Sequence, residues 1–223
     1  MELYYLITIA ERERAEQLSG IYQAAGAGLV LTKLGQGTAT SEQLERFGLD
    51  ATAKAIVSAV ADAEQTRQIF KAAKRKLFID IPGNGVMMAV PLKSVAGGRT
   101  LGYLTDSTQT GGKPAMDFSH ELIMVIMNEG YSDTVMDAAR GAGAGGGTVL
   151  HAKGTGRARS ERFFGVSLAD EKDVVYIVAH ADEKKAIMQA IAEQAGPGTR
   201  AGAICFSLPI SSVAGLRERE SAD

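Results

Sequence analysis

Tryptophan is absent from the 223 residues, cysteine occurs once, histidine three times and proline five times. Each shortage closes a class of protein. A single cysteine, Cys205, rules out an intrachain disulfide framework and fits a reducing compartment, so it reads as a small buried apolar residue and the cytoplasm is the expected location. His120, His151 and His180 are isolated in the sequence; with one cysteine they supply few converging metal ligands, and each reads as an ordinary hydrogen-bonded side chain. An excess of either charge is also missing. Twenty-four basic against 26 acidic residues leave a net charge of −2, which gives no general attraction to nucleic acid, so any basic site must be local. The opening stretch lacks a basic n-region and meets Glu11 and Arg12 too early for a signal peptide or a membrane span; it reads as a first strand. No Ser-His-Asp order, carboxylate pair or H-E-x-x-H helix is assembled, and catalysis is not expected.

Hydrophobic and turn-forming residues are abundant instead. In the first half, residues 3–9 read as a strand, 12–25 as a helix, 29–34 and 55–61 as strands, and 35–48 as a polar loop. Asp62 with Gln65 three positions on has the spacing of a capping box; Ile69, Phe70 and Ala73 give the following helix its apolar face, and residues 86–90 form a last strand. The second half repeats the order: strand 122–127, a helix from a Ser132 cap to Arg140, strands 148–152 and 174–179, a helix from an Asp182 cap to Gln194, and strand 203–208. Pro91 and Pro209, Ser94-Val-Ala-Gly97 and Ser212-Val-Ala-Gly215, and Lys54 and Lys172 all stand 118 positions apart. A repeat of this kind decides the fold class before any other signal. The expectation is an α+β protein of two tandem ferredoxin-like (βαββαβ) units: residues 1–97, a linker over 98–118 in which 101–104 could add an edge strand, residues 119–217, and a tail over 218–223. The strands at 122–127 and 174–179 are apolar at nearly every position, which argues burial on both faces and a homo-oligomer.

The chemistry-bearing stretch runs from Gly143 to Gly165. Gly145, Gly146 and Gly147 allow the chain to leave a helix and pass close to a neighbour, and the loop beyond the next strand carries Lys153, Arg157, Arg159 and Arg162 beside Gly154 and Gly156. Two readings stand open, an anion-binding loop and a solvated basic hairpin.

Gly130-Tyr-Ser-Asp-Thr-Val-Met-Asp-Ala-Ala-Arg140, Gly146-Gly-Thr-Val-Leu-His-Ala-Lys-Gly-Thr-Gly156, Phe163-Phe-Gly165 and Phe206-Ser-Leu-Pro209 resemble the P-II nitrogen regulatory superfamily, over nearly all of residues 120–217. The first half resembles it through the order of its elements and the repeat offset. The resemblance implies a P-II-like trimer of ferredoxin-like units: a non-enzymatic sensor that binds ATP, ADP or AMP between units and docks a loop on a membrane transporter or a metabolic enzyme in nitrogen regulation. Carried over residue by residue, it implies ligand-binding roles for Thr148, Lys153, Gly154, Gly156, Arg157, Gly202 and Arg217, and for Gly83 and Gly85 in the first repeat. The phosphate-binding lysine of the family is missing, since Ala203 and Ile204 follow Gly202 and Val86 stands at the equivalent place in the first repeat. A glycine turn can still bind an anion through backbone N–H groups, without that point charge. The loop-base glutamine is replaced by Ala158 and Ala39, and no tyrosine lies between Gly154 and Gly165; neither 2-oxoglutarate sensing nor uridylylation is therefore expected. The alternatives are a ligand-free oligomeric interaction module and a metal-binding ferredoxin-like trimer.

Overall fold

A computed structural model describes residues 2–38, 53–92, 118–153, 162–163, 166–167 and 171–216. These fall into two compact units, one of Met1–Leu34, Ala53–His120 and Pro209–Asp223, the other of Gly35–Thr52 and Glu121–Leu208. The expected linker and tail, apart from residue 118, lie outside the described residues, as does the edge strand proposed at 101–104.

The first unit opens with β1 (Leu3–Glu11), a 3-10 turn (Arg12–Arg14) and α1 (Ala15–Ala24). It continues with β2 (Val30–Gly37), which passes into the second unit from Gly35 on, then β3 (Ala53–Asp62), α2 (Ala63–Leu77) and β4 (Val86–Pro91). Its strand order is β2-β3-β1-β4, extended by β11 (Ser212–Ala214). β1 lies antiparallel to β3, with Leu6 opposite Ala59, and to β4, with Leu6 opposite Ala89. Even-numbered residues of β1 face the helices: Leu6 and Ala10 pack with Leu18, Tyr22, Ile69 and Ala73 in one core. The capping box forms as its spacing requires. The Asp62 carboxylate accepts the Gln65 N–H at 2.8 Å and the Gln65 side chain accepts the Asp62 N–H at 3.0 Å. Ile69 and Ala73 are fully buried on α2, whereas Phe70 packs at the core's edge.

The second unit has β5 (His120–Asn128), α3 (Ser132–Gly141), β6 (Thr148–Lys153), a small hairpin of β7 (Arg162–Phe163) and β8 (Val166–Ser167), β9 (Glu171–His180), α4 (Lys184–Ala195) and β10 (Ile204–Ile210). Its strand order, β10-β5-β9-β6, places fourth, first, third and second strands side by side, as the first unit does with β4-β1-β3-β2. Ile123, Val125, Met127, Val135, Met136, Val175, Ile177, Ile187 and Ile191 form its core. The molecule is thus α+β, with antiparallel sheet and, among the described residues, four α-helices.

Three local expectations are corrected. Ser132 is the first helical residue of α3, not its cap; Tyr131 precedes the helix with no side-chain capping bond. Likewise Asp182 does not cap α4, because the turn after β9 runs one residue further and Glu183 takes that place, its carboxylate accepting the His180 N–H at 3.2 Å. β2 also extends three residues past the expected end at Leu34, into part of the expected polar loop. There Gln36 and Gly37 find antiparallel partners in Val149 and Thr148. Burial on both faces of β5 is incomplete: Leu122 is fully buried, but Ile126 on the same face is 38% exposed.

Candidate functional site

The second unit gathers its polar side chains at the end of the sheet where β5 finishes and β9 begins. The Asn128 N–H donates to the Ala201 carbonyl at 2.9 Å and its Nδ2 to the Arg200 carbonyl at 2.8 Å, so one asparagine holds two successive carbonyls of the turn before β10. Gly202, inside that turn, has φ of 56°, a conformation that a glycine adopts without cost. Lys172 Nζ donates to Asn128 Oδ1 at 2.6 Å. The sequence reading left this turn without a lysine; the fold brings one to it from β9. Lys172 lies across the ladder from Ala152, and Lys153, the last residue of β6, lies across from Glu171.

Thr148 opens β6 and is 7% exposed. The glycine ahead of it has a packing role: a β-carbon on Gly147 would stand 3.0 Å from Met136 Sδ, 3.0 Å from Val175 Cγ1 and 3.1 Å from the Tyr176 carbonyl oxygen. Thr38 clips onto this same glycine. Its N–H and hydroxyl donate to the Gly147 carbonyl at 3.1 and 3.0 Å, its hydroxyl accepts the Gly147 N–H at 2.8 Å, and Arg140 donates to the Thr38 carbonyl. Gly154, Gly156, Arg157 and Arg217 lie outside the described residues.

In the first unit, Gly83 and Gly85 have φ of 100° and 136°. Gly83 has open space where a side chain would be, whereas a β-carbon on Gly85 would stand 2.6 Å from the Ile9 carbonyl oxygen. Gly215 then covers that turn, since a β-carbon there would meet the Gly85 carbonyl oxygen at 2.0 Å. Close backbone packing accounts for Gly85 and Gly215 without a ligand.

His151 is a hydrogen-bonded side chain, as expected, with a carboxylate for its partner. Its Nδ1 donates to Asp173 Oδ1 at 2.7 Å, and Asp173, 2% exposed, accepts the Gly130 N–H on its other oxygen at 3.0 Å. Two donors compensate a carboxylate that would otherwise be buried at high cost. Glu121 is compensated in the same way by Lys184 Nζ at 2.6 Å. Among the described residues, no group of three or more His, Cys, Asp or Glu could hold a metal ion. Burial pushes the Cys205 thiol up, which makes it a poor nucleophile at neutral pH.

Residues 120–220 match the family model described as nitrogen regulatory protein P-II. That part of the chain is P-II-like. The matched stretch takes in β5 to β11, and so the Lys172, Asn128 and Gly202 arrangement lies within the P-II-like segment. Among solved structures, Arabidopsis thaliana PII bound to citrate aligns at 22% identity over 42% of this chain and 76% of its own, with a TM-score of 0.33, too low to carry a structural argument. No curated protein matches the chain. Thr148 and Gly202 were legible as candidates through the resemblance alone, and Lys153 also through the basic glycine loop. Asn128, Lys172, Asp173, Thr38 and Arg140 were not, although Lys172 had already stood out as the repeat partner of Lys54. Its role depends on a hydrogen bond across 44 positions of chain.

Proposed function

We propose that the chain is a non-catalytic regulatory protein of the P-II kind, whose second unit binds an adenine nucleotide or a similar small anion at the Gly202 turn. One observation carries this reading: Lys172 Nζ lies on Asn128, the residue that holds the turn containing Gly202. Left-handed glycine and backbone N–H groups suit an anion, and Lys172 supplies the point charge that the turn itself lacks. In this reading Thr148, Lys153, Gly154, Gly156, Arg157 and Arg217 would complete the contacts. Two tandem repeats, assembly as a trimer, a cytoplasmic location and regulation of a membrane transporter or metabolic enzyme belong to the same proposal.

Calorimetry of the purified protein with ATP, ADP, AMP and cyclic AMP, with and without magnesium, is the test. Micromolar binding of at least one is expected, and Lys172→Ala should weaken it by about tenfold or more, the loss of one charge-assisted contact. No heat with any of the four would remove the nucleotide reading and leave an oligomeric interaction module.

A further inference from the structure

We infer that the basic end of α2 and the turn that follows it form a seat for an anionic lipid surface. The region belongs to the first unit and includes none of the residues assigned to the Gly202 turn. Over residues 71–82 the chain carries Lys71, Lys74, Arg75 and Lys76 against the single carboxylate of Asp80, in a protein whose net charge is −2. All four cations are exposed, and among the described residues none is paired with a carboxylate. Lys71, Lys74 and Arg75 are three and four apart and so share one helix face.

Cations in a last turn also suit the helix dipole, which is a sufficient account of the charges alone. It does not account for what comes next. Phe78 ends the helix at φ 51° and ψ 42°, the single left-handed residue other than glycine among those described. An aromatic residue there is strained where glycine would be at ease, and its ring is 57% exposed. Ile81 is 52% exposed beside it, while Ile79 between them is fully buried and fixes the turn to the core. The backbone is held in place. Ile81 N–H donates to the Phe78 carbonyl at 3.0 Å, Asn84 N–H to the Ile81 carbonyl at 3.1 Å, and Asn84 Nδ2 to the Phe78 carbonyl at 3.0 Å. Arg14 braces both ends, donating to the Leu77 carbonyl at 3.0 Å and to Asn84 Oδ1 at 3.3 Å. A rigid turn therefore presents an aromatic and an aliphatic side chain to solvent, flanked by cations. That is the combination an anionic membrane interface takes up, apolar groups entering the acyl boundary while Lys and Arg meet the headgroups.

Flotation of the full chain with vesicles of phosphatidylcholine, alone or mixed with phosphatidylserine, tests the proposal. Binding is expected to the mixed vesicles only, and to fall as salt is raised. Phe78→Gly removes the wedge at a position glycine prefers, so the melting temperature should hold or rise while vesicle binding drops by about tenfold. Lys74→Glu with Arg75→Glu should abolish binding. Equal binding to neutral vesicles, full binding by Phe78→Gly, or retention on a soluble polyanion such as heparin with none on vesicles would each overturn it. Nucleotide calorimetry on the same variants separates this surface from the Gly202 turn, because neither substitution touches a residue assigned there.

Discussion

Tyr22 shows how one side chain can set a pH limit. It is fully buried, and its hydroxyl lies 2.7 Å from Thr8 Oγ1, which is buried as well. Burial pushes the Tyr22 phenol well above its ordinary value of 10.0, the Thr8 bond opposing this only in part. The unfolded chain therefore gives up that proton first. The stabilisation is whole below about pH 10 and falls as pH rises further, by about 1.4 kcal/mol per pH unit at the steepest. Tyr22→Phe should flatten the alkaline side of a stability-against-pH curve measured by urea titration. At neutral pH it should cost about 1–3 kcal/mol, because the Thr8 hydroxyl is left buried without its partner. At this scale the sequence was legible where the signal was local: Asp62 and Gln65 sit three apart and cap α2 as read. Ser132 and Asp182 offered equally good capping chemistry, but the length of the preceding turn decided which residue came first in the helix, and no residue type encodes that length.

Elements were legible wherever they satisfy themselves. Helix α2 does so through its own box, and Asp62→Ala should lower stability by about 1 kcal/mol in thermal or chemical melts. The last residues of β2 do not. Gly35, Gln36 and Gly37 have the composition of a loop, and the stretch becomes strand because Val149 and Thr148 pair with Gln36 and Gly37 from more than a hundred positions away. Thr38 closes that pairing with a hydroxyl that both gives and accepts. Thr38→Val keeps the shape and loses both bonds, so the Gly147 amide should exchange with deuterium faster, at a cost of about 1–3 kcal/mol, while Thr38→Ser should restore protection. The same distance in sequence hid the meeting of Lys172, Asn128 and the Gly202 turn.

For the whole molecule, the order of elements in each half was visible because helices and strands alternate with clear turn signals, and the repeat offset reinforced it. Assembly is a separate matter of uncovered surface. On β10, Cys205 packs toward the core of its unit, which turns Ile204 and Phe206 to the other face, where they are 62% and 40% exposed. Ile126 lies on the adjacent strand and is likewise exposed. Such a patch fits association between copies of the chain. On the proposed assembly, Ile204→Glu should shift the mass measured by light scattering toward the monomer and leave the melting temperature of the monomer nearly unchanged, since Ile204 is 62% exposed.

The pairing of β11 with β4 also sets a schedule for synthesis. Ser211 donates to the Ala89 carbonyl across 122 positions, and Val213 lies opposite Met88. At about 5–20 residues per second on the ribosome, β4 waits roughly 6–24 s for its outer neighbour to be made. Until then the strand has a bare edge, able to recruit any passing extended segment. A nascent chain of this protein is therefore exposed to mispairing at this edge throughout the synthesis of its second half, from the completion of β4 to that of β11.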